Sequence, residues 1–519
     1  MALELNPHRL LMVDISGPVL TPDERAFFAE YKVGGICLFS RNFCDRVQAA
    51  ELTTELRDSL GPNLIIATDQ EGGGVVRALD VPYSPGTMLL GAADNLELTH
   101  NVAAATARGL RAIGVNINFA PVADVNNNPR NPVIGERSFG SDPEHVAEHV
   151  AAYVRGLQSE GVAATVKHFP GHGDTDTDSH LGLPTLDVPL GRLQEVELVP
   201  FKKAFGAGVA CVMSYHGRIT ALDAELPATL SRTVMTDLLR RELGFEGVSF
   251  TDALEMHAVA DLFSPAEAVV RSLIAGIDMP LFDIHTGSLR TYEVILKEVE
   301  RALTQGHLDE REVGEKLQRL HKLARTYPAQ PDPQNAWREG DEALLADAAR
   351  RGVIIVGNLP EIGEEISLAI IAAGDSVGGA ASDVLTPPTE RLVKMLRDRG
   401  LSVNPIFYKR AEPDSSRQAI LSATARYDAT LFVSTSRTRM ERGEVDLANA
   451  AAQTAQQNAR NFVHIALWNP YHVSDLPGPT IVSFGFREGS LEAVADILTR
   501  RHSAQGRAPI PLWTRGADA

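Results

Sequence analysis

The stretch from Lys167 to His180, KHFPGHGDTDTDSH, sets three histidines, three aspartates and a lysine among glycines, threonines, a proline and a serine. Such a composition can hold a metal ion, cradle a phosphate, pass protons, or do none of these as a solvated loop. DTDTDS starts like a calcium loop, with oxygens at positions 1, 3 and 5. Counting from Asp174, however, positions 6 and 12 hold Ser179 and Thr185, where glycine and glutamate are needed. His168, His172 and His180 could ligate zinc, but no H-E-x-x-H or paired-cysteine spacing accompanies them. A phosphate loop feeds glycines into a lysine and a helix N-terminus. Here the lysine precedes the glycines, and LGLPTLDVP comes after them. Asp178 and His180 stand one residue apart. In a turning loop the carboxylate can bond one imidazole nitrogen and raise the basicity of the other. That arrangement takes and returns protons; a solvated D-x-H pair is the plainer reading of the same spacing.

Residues of this kind act only when a scaffold gathers them. The first two-thirds of the chain alternates short β-rich runs with helical stretches. The runs are LLMVDIS, VGGICLFS, LIIATDQ, VNINFAPVADV, VAATVKHF, CVMSYH, VSFTDAL and AGIDMPLF. Near-continuous apolar runs suit parallel strands buried on both faces. Amphipathic segments at 98–113, 144–160 and 189–207 lie between them. Eight such units over about 325 residues predict a (β/α)8 barrel. Asp69, Asp124, Lys167 with His168, His216 and Asp252 fall where apolar runs end, and a barrel of this type builds its active site there.

The prolines of TYPAQPDPQNAW predict a linker over 326–340. It divides a barrel domain (1–325) from a C-terminal αβα sandwich domain (341–519), where GVIIVGN, ISLAIIAAG, ATLFVSTS, FVHIALW and TIVSFGF read as strands. Helical stretches at 388–399 and 442–461 separate them. The net charge of −18 argues against nucleic acid or an anionic membrane as main partner. No apolar run reaches the length of a membrane helix, and no leader-like segment opens the chain. Three cysteines, Cys37, Cys44 and Cys211, suggest reduced thiols and a cytoplasmic location.

KHFPGHGDTDTDSH resembles the signature of family 3 glycoside hydrolases, in the β-N-acetylglucosaminidase branch with the pattern K-H-F-P-G-H-G-x(4)-D-S-H. ATDQEGGGVVR (67–77), NFAPVADVNNNP (118–129), GERSFGSDP (135–143), VMSYH (212–216) and VSFTDALEM (248–256) are similar to further segments of that family, in the same order. Looser likeness continues through SVGGAASDVLTPPTERL and LWNPYHVSDLP, pointing to the two-domain type. The resemblance implies that Asp252 is the nucleophile, His180 the general acid/base and Asp178 its partner. Asp69, Arg137, Lys167 and His168 match sugar-binding positions, Arg77 and His216 lie in the same pocket, and His172 shapes the loop.

The implied reaction is retaining hydrolysis of terminal β-N-acetylglucosamine from cell-wall fragments or chitooligosaccharides, through a glycosyl-aspartate. It needs neither metal nor organic cofactor and no obligate protein partner; its substrate is a small carbohydrate. Phosphorolysis of the same bond, a metal-dependent hydrolase using the histidines, and a sugar-binding protein without catalysis are the alternatives. The loop from Gly171 to Pro184 is short of apolar side chains and is expected to open at low cost, closing to complete the site.

Overall fold

The computed structural model describes residues 5–178, 182–283, 288–362, 365–375, 378–379, 382–383 and 387–512. Eight parallel strands close into a barrel. They are β1 (Met12–Val13), β2 (Gly35–Leu38), β3 (Ile65–Thr68), β4 (Ile117–Asn118), β5 (Ala163–Phe169), β6 (Cys211–Ser214), β7 (Val248–Ala253) and β8 (Met279–Phe282), each paired to the next, with β8 closing on β1. Every residue of β2, β3, β5, β6 and β8 is buried, because the barrel interior covers one face and the helices the other. Registers such as Thr68 beside Asn118, and Val248 to Thr251 beside Cys211 to Ser214, align the strand ends. All eight strands fall within the eight apolar runs of the sequence.

Among the helices of the barrel domain are α1 (Thr87–Ala93), α2 (Leu96–Ala112) and α3 (Pro143–Ser159). Asn95 caps α2 by accepting from the Leu98 amide at 2.9 Å. Asp142 caps α3 through the His145 amide at 2.8 Å, with Pro143 in the first turn. The apolar faces of α2 and α3 pack on each other and on the barrel. The segment 189–207, expected as one helix, is two: Leu190–Glu195 and Leu198–Gly206. Pro200 explains the break, since its ring would collide with the Val196 carbonyl of a continuous helix, whereas a first turn tolerates it.

A helix at Glu310–Thr326 ends the barrel sequence, and the proline-rich segment then passes the end of α2, with the Asp332 amide donating to the Ala112 carbonyl at 2.8 Å. The helix α4 (Asp341–Gly352) packs on α1 and α2 on one side and on α5 (Glu488–Leu498) on the other. Asp341 of α4 pairs with Arg108 of α2. Beyond α4 lies a mixed sheet of β9 (Ile354–Val356), β10 (Ser367–Ala373), β11 (Ser402–Tyr408), β12 (Ala429–Ser434), β13 (Asn461–Ala466) and β14 (Thr480–Val482), in the order β9-β14-β13-β12-β10-β11. Only β9 runs antiparallel. The strand β11 and the helices Arg417–Arg426 and α5 were not anticipated. SVNPIFY hides β11 because Pro405 interrupts it; the strand is tolerated because it lies at the sheet edge, where one side needs no donor.

At the opposite end of the barrel from the predicted site, Asp278 is fully buried and fully bonded. It accepts from the Ser249 amide at 2.8 Å, from Arg240 Nη2 at 2.6 Å and from Arg319 Nη2 at 2.8 Å. This ties the start of β8 to the start of β7, the strand that carries Asp252. Burial alone would raise the Asp278 carboxyl, but Arg240 and Arg319 hold it below the usual carboxylate range. The group releases its proton more readily folded than unfolded. It therefore stabilises above about pH 4, and that stabilisation is lost as the pH falls below it. Asp278→Ala is expected to destabilise by about 3–5 kcal/mol, as for a broken buried pair, and to flatten the acid limb of stability against pH, both read by thermal unfolding at a series of pH values.

Candidate active site

The C-terminal strand ends bring the described members of the predicted set together. Asp69 follows β3 directly. A hairpin, 70–72 with 75–76, then places Glu71 beneath the rim. Gly72 turns it with φ +100°, and a side chain there would meet the Ser84 carbonyl at 2.5 Å, so this turn requires glycine. Lys167 and His168 end β5, Asp252 ends β7, and His216 lies two residues past β6. Arg137 comes from a short 3-10 turn, Gly135–Arg137, held by α1: the Thr87 hydroxyl meets the carbonyls of Glu136 at 3.0 Å and Arg137 at 2.6 Å.

Glu71 is the electrostatic centre, and sequence reading passed over it. Its carboxylate takes both arms of Arg137, Nε and Nη2, at 2.8 Å each, and Lys167 Nζ at 2.6 Å. Lys167 Nζ reaches Asp69 Oδ1 at 2.6 Å as well. Arg77 Nη2 lies 3.8 Å from Asp69 Oδ2. Burial would push the Glu71 carboxyl up, yet the Arg137 and Lys167 charges hold it far below the usual carboxylate range. Burial would likewise depress Arg137 and Lys167, but Glu71 for the one and Asp69 with Glu71 for the other raise both. All are therefore charged at neutral pH.

His168 is fixed by Asp124, another residue of the strand-end set. Asp124 Oδ2 lies 2.7 Å from His168 Nδ1, and Oδ1 accepts from the backbone amides of His168 at 3.2 Å and His172 at 2.7 Å. Burial opposes ionisation of Asp124, and the two histidines overcome it. With Nδ1–H donating to Asp124, His168 presents Nε2 to the cleft, 3.9 Å from Asp252 Oδ2 and 3.5 Å from Arg137 Nη2. Asp252 is about a quarter exposed, and its Oδ1 accepts from the Ala253 amide at 2.8 Å. His216 donates Nε2–H to the Ala253 carbonyl at 3.0 Å, so it steadies the peptide next to Asp252. On the rim, Arg41 pairs with Asp14 and Asp283, which follow β1 and β8.

The loop after β5 differs from expectation in its first half. Gly171, His172, Gly173, Thr175 and Asp178 are buried. Asn131 Nδ2 donates to the carbonyls of His172 at 2.8 Å and Gly173 at 3.0 Å, and His172 Nδ1 shares a 2.8 Å bond with the Thr175 hydroxyl. Polar side chains can anchor a loop through its own carbonyls, which an apolar count does not see. Burial drops His172 to about 3, so it is a neutral packing residue against Tyr215. His180 lies outside the described residues.

The second sheet covers this face of the barrel. Arg437, in the loop after β12, places Nη2 at 3.0 Å from Asp178 Oδ2. The Trp468 indole N–H donates to Glu136, Asn126 Nδ2 donates to the Tyr471 hydroxyl at 3.0 Å, and Arg487 Nε donates to the Gly73 carbonyl at 3.0 Å. No local pattern in the sequence marks Arg437 or Glu136; their partners stand more than 250 residues away.

A model of the glycosyl hydrolase family 3 N-terminal domain matches residues 3–323. The chain belongs to glycosyl hydrolase family 3. It is 34% identical over 334 residues to beta-hexosaminidase A of Pseudoalteromonas piscicida, a match over 60% of this chain and 56% of that one, so it spans little more than half of that relative's length. It is 39% identical over 282 residues to the beta-hexosaminidase of Chromobacterium violaceum, covering 53% of this chain and 78% of that one. The structure of a glycoside hydrolase family 3 beta-N-acetylglucosaminidase from Paenibacillus sp. str. FPU-7 superposes with TM-score 0.90 at 32% identity, over 99% of each chain. The family model ends at residue 323, whereas this superposition takes in the covering sheet as well.

Within this family 3 chain, Glu136 makes the contact between barrel and cover pH-dependent. It is buried, accepts from Trp468, and burial pushes its carboxyl up to about 7. The folded state thus holds a proton that the unfolded chain gives up near pH 4.5. Stability from this group falls as the pH rises from about 4.5 to 7 and is level beyond. Glu136→Gln keeps a carbonyl acceptor for Trp468 and is expected to remove that slope. Melting temperature against pH, compared between the two proteins, checks it.

Proposed function

We propose that this family 3 enzyme removes terminal β-linked N-acetylglucosamine from small glycosides with retention, using Asp252 as nucleophile, His180 as general acid/base and Asp178 as its partner. The observation that carries the reading is the placing of Asp252. A short carboxylate on a rigid strand end, one oxygen held by its own backbone, projects beside a buried cluster of polar groups. The relatives' names, beta-hexosaminidase and beta-N-acetylglucosaminidase, support the sugar.

The reaction follows from the charges. Asp252 attacks the anomeric carbon while imidazolium His180 gives its proton to the leaving oxygen. Neutral His180 then takes a proton from water, which attacks the glycosyl-aspartate and frees Asp252. Asp69, Lys167, Arg137 and Arg77 bind the sugar hydroxyls, and His168 Nε2 approaches from the Asp252 side. A site whose buried polar groups are completed by hydroxyls discriminates strongly against sugars that lack them. His216 holds the Ala253 carbonyl next to Asp252. Arg437 holds Asp178 in place, making the covering domain part of the site.

Residues 1–325, 326–340 and 341–519 serve in this reading as barrel, linker and cover. Substrates in this reading are cell-wall or chitooligosaccharide fragments, with no obligate protein partner, and the acidic charge supports the absence of nucleic acid or an anionic membrane as partner. A cytoplasmic location accords with three free cysteines, Cys37, Cys44 and Cys211. Among the described residues no helix is long and apolar enough to cross a membrane.

Asp252→Asn is expected to lower kcat at least about 10³-fold. An activated 2-fluoro sugar should label Asp252, and peptide mass spectrometry finding the label elsewhere would overturn the assignment. Product analysis with a chromogenic β-GlcNAc substrate should give free GlcNAc with or without phosphate; GlcNAc-1-phosphate would move the reaction to phosphorolysis. Arg437→Met removes the cation that pairs with Asp178, the proposed partner of the proton donor, so in this reading imidazolium His180 becomes more stable. The alkaline limb of kcat/KM should shift to higher pH, with a loss of about tenfold in rate for poor leaving groups, and an unmoved profile would remove Arg437 from the mechanism.

A further inference from the structure

On the flank of the barrel, away from the strand ends, two histidines and an aspartate converge. His145 and His149 are four residues apart on α3, so their rings rise from one face of the helix, with centroids 4.6 Å apart. Asp94 closes α1 in the left-handed conformation, φ 47° and ψ 47°, which turns its side chain toward α3. Its Oδ1 lies 3.7 Å from His145 Nδ1 and 4.0 Å from His149 Nε2. One ligand atom from each of the three residues falls within 4.8 Å of the others.

We propose that Asp94, His145 and His149 form a binding site for a divalent transition-metal ion of the zinc class. The buried member argues for a ligand. His149 is 1% exposed, and among the described residues its Nε2 has no hydrogen-bond partner although it faces the cluster. Buried polar atoms are nearly always paired, so an unpaired one aimed at two other donors has the look of a group awaiting an ion. The ring is also held in place. Nδ1 shares a 2.9 Å bond with the Thr99 hydroxyl, and Phe139 stacks on it with centroids 5.3 Å apart and 22° between planes. With Nδ1–H donating to Thr99, the Nε2 lone pair points into the site, the outer arrangement that orients metal-binding histidines elsewhere.

Two imidazoles and one carboxylate, with an open position for water, suit Zn²⁺, Co²⁺ or Ni²⁺ far better than Ca²⁺ or Mg²⁺, which take oxygen shells. Bonds of about 2.0–2.1 Å in a tetrahedron set ligand atoms about 3.4 Å apart. The two histidine nitrogens, within 4.8 Å, must close by up to about 1.4 Å, through the partly exposed His145 ring, and the Asp94 pairs, 3.7 and 4.0 Å, need a contraction of about 0.3–0.6 Å. Asp94, 56% exposed, has the freedom to supply it. A bound ion would fasten the end of α1 to α3. Since Thr87 at the start of α1 carries the turn that presents Arg137, the ion would brace the scaffold behind the cleft without touching sugar. The chain's tail crosses here too, the Arg507 amide donating to the Ala92 carbonyl at 2.8 Å and Ser141 to that of Pro509 at 3.0 Å.

The test uses the full chain, stripped with chelator and titrated with Zn²⁺ alone by calorimetry, and with Co²⁺ alone by visible absorption. Asp94→Asn and His145→Ala alter partly exposed side chains outside the cleft, and circular dichroism with activity on a chromogenic glycoside verifies that they fold. The parent protein should bind one equivalent that both variants bind at least about tenfold more weakly, with the tetrahedral Co²⁺ bands and the Zn²⁺-dependent rise in melting temperature lost together. Failure of the parent to bind, or equal binding by the parent and both folded variants, overturns the site. Hydrolysis lost in the parent protein itself bears on the proposed function and leaves this titration readable.

Discussion

Glu71 sits with almost no water around it, between a lysine and an arginine that are themselves buried. Two such cations beside each other in a low-dielectric cleft would repel strongly, and Lys167 would shed its proton or one of the two would leave. Glu71 lets both stay. Its two oxygens divide among the Arg137 fork and Lys167 Nζ, and Lys167 hands on the contact to Asp69. Removing one member of such a pair costs about 3–5 kcal/mol, a large part of the 5–15 kcal/mol that holds a typical domain together. The positions of Asp69, Lys167 and Arg137 are thus consequences of one carboxylate, which the glycine turn of its hairpin carries under the rim.

The covering sheet extends the same pairing of charges. Arg437 on Asp178 and the Arg487 guanidinium on the Gly73 carbonyl close over the cleft, while the apolar faces of Trp468 and Phe486 pack beside them. Excluding water makes every ion pair below stronger and more sensitive to geometry. It also explains why buried carboxyls diverge in behaviour. Glu71, surrounded by cations, stays ionised, whereas Glu136, facing an indole N–H, is pushed to about 7. The residue type is the same, and the partners decide.

The barrel was legible in the sequence because its strands are apolar on both faces and its polar residues gather at one end of each. That pattern is local and survives without contacts. Asp69, Lys167, His168 and Asp252 could be placed in one cleft from strand order alone. Glu71 could not, since nothing in ATDQEGGGVVR says which of two neighbouring carboxylates turns inward; the hairpin decides it. Arg437 and Trp468 were illegible for a different reason: their partners lie across the domain contact, and only the folded chain brings them together. Pro405 concealed β11 because proline normally forbids a strand, and only its position at the sheet edge lifts the prohibition.

In the proposed mechanism, the charges around the cleft bear on why a histidine serves as proton donor. Asp69, Glu71, Asp124, Asp178 and Asp252 are set against Lys167, Arg137, Arg77 and Arg437. A second carboxyl acting as acid would have to stay protonated beside these anions and then, as base, become another anion next to Asp252 as that residue is released. Imidazole runs through the opposite charges. It is cationic when the leaving oxygen needs a proton, a state that the carboxylates favour, and neutral when water must be deprotonated. Arg437 on Asp178 limits how far that favour goes, since a carboxylate left uncountered would hold the imidazolium too tightly to release its proton. In this mechanism the covering domain tunes the proton transfer through Asp178, the residue that Arg437 pairs with.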